Sequence, residues 1–143
     1  MLIYNRIKKH FDSYSLYRKY SMATITQKMI TRTYDFARLV VDEGMLESEA
    51  AGSVANETGM NLNSSKMYMH CAIALLNGGQ YGWTVNGRAM EYFFEKILSD
   101  YGPDKLKMAL NVFDSHAEKN QNSQLNLKRV ADRFRDKLHK KNI

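Results

Sequence analysis

Apolar residues recur along this chain at spacings of three and four, the period of a helix with one buried face. Only one proline, Pro103, is present, and no long apolar–polar alternation signals a strand. Ile3, Ile7, Tyr14 and Tyr17, with Phe11 beside them, predict a helix over about 3–20. Met22 opens a segment that reads like a second start, so residues 1–21 read as an upstream extension rather than part of the core. Ile30, Tyr34, Ala37 and Val41 make the next stripe, stopped by Gly44. Leu46, Ala50 and Val54 follow, with Ser48 as the expected cap and Gly59 as the left-handed stop.

Asn63 is expected to cap a strongly apolar helix through Met67, Tyr68, Cys71, Ala72, Leu75 and Leu76, closed by Gly78 and Gly79. After the loop 78–84, Thr84 or Asn86 opens a helix with Ala89, Met90, Phe93, Phe94, Ile97, Leu98 and Tyr101 inward. Pro103 suits a first helical turn, where its missing donor has no partner to lose, and Asp104 favours the positive end of the helix dipole. Leu106, Ala109, Leu110, Phe113 and Ala117 line that helix. Polar residues 118–124 read as a hinge. A last helix over about 125–140 places Leu127, Val130, Phe134 and Leu138 on one face.

The expectation is an all-α fold: a compact bundle of about five short helices plus basic amphipathic N- and C-terminal helices. The chain divides into a basic extension (1–21), a helical body (22–121) and a basic C-terminal helix (122–143). The terminal helices either pack on the body or project to a partner.

A length of 143 residues suffices for a core without metal or disulfide. With 44% apolar and 25% charged residues, the composition argues against wholesale disorder. The single cysteine, Cys71, excludes an intrachain disulfide and a cysteine-cluster zinc site. No run approaches the ~18 apolar residues of a membrane span. Arg6, Lys8, Lys9 and His10 interrupt the N-terminal apolar residues, so no secretory segment is read there. A cytoplasmic, reducing setting is expected, with no cofactor.

Charge changes the picture more. The net charge is +6, but residues 22–121 carry nine bases against twelve acids. Residues 1–21 carry five bases and one acid, and residues 122–143 carry seven bases and two acids. All the excess positive charge is therefore at the ends. Such ends serve either as arms for an anionic partner or as solvated helices that keep the protein in solution.

Catalytic chemistry is thinly represented. His10, His70, His116 and His139 are scattered over four expected helices, which argues against a metal site. Asp114, Ser115 and His116 are consecutive on a helix and do not converge as a triad would. His116 is expected to pack or cap near its helix end, and Cys71 to be an inert core thiol. Glu91 and Glu95, one turn apart, read as a solvated face. The glycine loop at 78–82 lacks the Lys-Ser/Thr of a phosphate loop and follows no strand. Its aromatics, Tyr81 and Trp83, are candidates for stacking on bases or gripping a partner, while Trp83 also suits a core wedge. Met60, Met67 and Met69 suit either core filling or an adaptable surface.

The order of signals resembles a known module. Gly59-Met60-Asn61 precedes the capped Ser64-Ser65 start; Gly78-Gly79-Gln80-Tyr81 forms a loop; Thr84-Val85-Asn86 opens the next helix. An aromatic-rich helix runs from Tyr92 to Gly102, followed by Ala109-Leu110 and His116. Together, over about residues 34–118, these resemble the N-terminal helical head domain of McrA-like, HNH-type restriction endonucleases and related defence proteins. The resemblance implies an accessory part that engages DNA or partner domains beside a nuclease and is not itself the nuclease. This chain departs from the pattern at Gln80, Gly82 and Trp83, where the family loop often carries bases; Arg88 is the nearest base.

The expected function is a non-enzymatic, DNA-associated module. Its phosphate contacts come from Lys8, Lys9, Arg18, Lys19, Arg88, Lys128, Arg129, Arg133, Arg135, Lys137, Lys140 and Lys141. The alternative is a protein-interaction adaptor or inhibitor of a defence or nuclease complex, with Tyr81 and Trp83 as contacts. Self-association through the apolar faces of the terminal helices is a variant of it.

Overall fold

Thr26 shows how the chain enters its first described helix. Its extended backbone stops the helix, and its hydroxyl accepts from the Met29 amide at 3.2 Å. Met29 answers by placing its sulfur 3.4 Å from the Thr26 amide, the position a Glu or Gln occupies in the usual reciprocal cap. The computed structural model describes residues 25–119 and 125–141, and the helix expected over about 3–20 lies outside them. Six helices fill the described residues: α1 (Gln27–Glu43), α2 (Glu47–Thr58), α3 (Leu62–Asn77), α4 (Gly87–Tyr101), α5 (Pro103–Lys119) and α6 (Leu125–Lys141). The chain is all-helical over these residues, as the periodicity predicts.

Punctuation follows the expected residues in most places. Gly59 and Gly78 end α2 and α3 at φ 78° and 79°, a region a side chain rarely occupies. Gly78 is also tight, because a β-carbon there would lie 3.1 Å from the Met108 sulfur. Asn86 caps α4 through the Ala89 amide at 2.8 Å. Three local expectations are corrected. The cap of α3 is Asn61, not Asn63: its side-chain oxygen accepts from the amides of Asn63 and Ser64. The cap position of α2 is Leu46, with no side-chain bond, so Ser48 lies inside the helix; Leu46 is 63% exposed and leaves the stripe assigned to it. α5 runs on to Lys119, so the polar start of the expected hinge is helical.

The packing has two groups of three neighbours. α1, α2 and α3 pack mutually, and α4, α5 and α6 do the same. Contacts of α3 with α5 and of α1 with α4 join the groups. Small buried residues mark the first group: Ala50 and Ala51 on α2 and Ser65 on α3, whose hydroxyl donates to the Ala51 carbonyl at 2.7 Å. Rings set the second. Phe94 meets Phe113 edge-on at 6.2 Å and Phe134 at 5.5 Å. The C-terminal helix therefore packs on the body, and Leu127, Val130, Phe134 and Leu138 are buried as their spacing predicts. Each such side chain contributes roughly 1.5–3 kcal/mol by leaving water.

A polar seam closes α1 on α4. Tyr34 donates to Asp100 at 2.8 Å, and Arg38 reaches Asp100 at 3.2 Å and the Tyr101 hydroxyl at 3.3 Å. Tyr101 in turn donates to Asp42 at 2.6 Å. Burial, and next the Asp100 carboxylate, push the Tyr34 phenol above its ordinary range.

Candidate functional site

The loop between α3 and α4 carries the two aromatics singled out by sequence, and the structure separates them. Tyr81 turns inward, 7% exposed, and stacks on the His116 ring with centroids 4.1 Å apart. The Tyr81 carbonyl accepts from His116 Nδ1 at 2.9 Å, so Nδ1 carries a proton. Val85 is buried, and the Asn86 amide donates to the Tyr68 hydroxyl at 3.1 Å. The loop is thus pinned on both sides of Trp83. Trp83 itself stands 64% exposed, which overturns the core-wedge reading. Leaving an indole so wet forgoes on the order of 3–4 kcal/mol of burial. Tyr81, by contrast, has no surface to offer a partner; its buried hydroxyl lies beside the Cys71 thiol.

Trp83 walls a groove of about 340 Å³ between α2 and α3. α2 contributes Glu47, Ser48 and Ala51, and α3 contributes Lys66, Met67 and His70. Both sets have the spacing i, i+1, i+4, which puts three residues on one helix edge. Ala51 and Met67 are the apolar members. Glu47 spans the helices to His70 Nδ1 at 2.9 Å. Lys66 is exposed and has no ion-pair partner among the described residues.

The expected basic residues have unequal places. Lys8, Lys9, Arg18 and Lys19 lie outside the described residues. Arg88 is exposed and donates to the Ile25 carbonyl at 3.4 Å. Arg129, Arg133, Lys137 and Lys140 are all exposed along one edge of α6 at spacings of four, four and three, and Lys141 is its last residue. Arg133 pairs with Glu91 of α4 at 3.4 Å, and the Lys137 ammonium lies 4.7 Å from the Phe134 ring centroid. Lys128, Arg129 and Lys140 have no partner among the described residues. Arg135 differs: it pairs with Asp114 on α5 and with Asp132 at 2.9 Å. With Lys107, Asn111 and His139 it lines a shallow cleft of about 370 Å³ between α5 and α6. Lys107, His139 and Lys66 join these surfaces through helix packing, which sequence reasoning alone did not reach; their exposed position on helix edges was the only signal.

Cys71 is wholly buried, and burial pushes its thiol well above the ordinary range. Among the described residues no group of three or more His, Cys, Asp or Glu is placed to hold a metal ion. No described helix is long and apolar enough to cross a membrane. No protein family, curated protein or solved structure matches the chain.

Proposed function

We propose that the chain is a non-catalytic helical module that binds nucleic acid through phosphate contacts, one of the two roles, engaging DNA or partner domains, that the resemblance to McrA-like accessory head domains implies. The observation that supports this is the α6 edge. Arg129, Arg133, Lys137 and Lys140 stay exposed on a helix whose opposite face is fixed in the core. Eleven positions of helix rise carry them over roughly 16 Å, enough to meet several phosphates of one strand. The cleft with Lys107 and His139 lies on the other flank of α6, toward α5, and is separate from this edge. Contacts of this kind give affinity without sequence choice.

Fluorescence anisotropy with single- and double-stranded DNA over a salt series tests this on the full chain. The expected result is salt-sensitive binding. In an Arg129→Glu/Lys140→Glu variant, the slope of log affinity against log salt falls by about two. Absence of binding at low salt, or the same slope in the variant, rejects the reading.

The exposed Trp83 favours a second reading, a protein-docking surface on an adaptor or inhibitor. A pinned loop that holds an indole in water is pre-organised for a partner, since ordering costs are met before contact.

A further inference from the structure

We infer that the α2–α3 groove binds a segment of a partner protein in which an apolar side chain sits beside a carboxylate. This rests on the protein-docking reading of Trp83 and adds the chemistry of the occupant. The groove's apolar surface comes from Met67 and the Trp83 ring, over a floor closed by the buried Ala51. Met67 is an unbranched side chain that adapts to the shape entering. About 340 Å³ accepts one or two side chains, not a whole helix.

The polar rim decides what lies next to them. Glu47 and His70 answer each other across the mouth at 2.9 Å. Lys66 is the charge left over, an ammonium one residue before Met67 with no partner among the described residues. A carboxylate beside the apolar anchor completes it, and a cation there meets repulsion.

The experiment uses a random peptide display library panned on the full chain, followed by synthetic copies of the selected peptides. Trp83 is the only tryptophan, so its emission reports this groove. The expected selection is an apolar residue beside Asp or Glu, and binding that moves the emission to shorter wavelength. Lys66→Glu weakens these peptides about tenfold or more, whereas Lys66→Arg retains them. Trp83→Ala abolishes their binding with unchanged helical circular dichroism. Selected peptides that lack an acid, or that ignore Lys66→Glu, overturn the carboxylate and leave the docking reading standing. No enrichment at all overturns both. A single-stranded oligonucleotide that shifts Trp83 emission where no peptide does assigns the groove to nucleic acid and also overturns the proposal.

Discussion

The α1–α4 seam and the outer edge of α6 use the same residue types to opposite ends. At the seam the half-exposed Arg38 contacts Asp100, Tyr101 and Asp42, and Tyr34 closes the circuit from the buried side. Each charge there is answered by another element, so the side chains fix how two helices meet. On α6 only Arg133 reaches another helix on that edge, through an exposed pair with Glu91. Lys137 lies over the Phe134 ring of its own helix, and Arg129 and Lys140 are exposed with no partner among the described residues. Burial on the far side of α6, not charge, holds it in place. Charged residues of the seam are thus structural, whereas those of the α6 edge are dispensable for folding and available for contact.

Three substitutions grade that difference by urea unfolding. Phe134→Ala removes the ring that joins α6 to Phe94 and is expected to cost about 3–5 kcal/mol. A loss below that of the seam variants breaks the view that α6 is held by its apolar face. Tyr34→Phe at the seam is expected to cost about 1–2 kcal/mol, since Asp100 loses its buried donor. Alkali sharpens the same point. A phenol whose folded value is raised contributes stability in full below its unfolded value near 10, and that contribution is lost as pH rises above it. Tyr34→Phe should therefore show a smaller fall in stability above about pH 10 than the parent. Arg133→Ala, at an exposed pair, is expected to change stability by less than about 0.5 kcal/mol. A larger loss makes the α6 edge structural after all.

Much of the helix pattern was readable because its signals are local. Phe94, Phe113 and Phe134 each fall in the apolar stripe of their own helix, so periodicity places them inward without knowledge of their partners. Gly59 and Gly78 were readable as stops because left-handed backbone selects glycine. The caps were less so. Asn61 and Asn63 are the same residue type two positions apart, and only the backbone decides which one precedes the helix. The site was least readable. Tyr81 and Trp83 lie in a loop with no period, so nothing local tells which faces inward; His116, from a distant helix, makes that choice. Pairing of Arg135 with Asp114 likewise depends on how α5 and α6 meet, which charge counts along the chain do not contain.

The order of contacts along the chain has a kinetic consequence. Among the described residues, substantial helix contacts join elements no more than three apart in sequence, and most join first or second neighbours. Little loop entropy must be lost before each contact forms. Refolding is therefore expected on the microsecond-to-millisecond scale typical of helical domains with local topology. Each group of three helices can assemble largely from its own stretch of chain, leaving the Tyr34–Asp100 clasp as a late, long-range step.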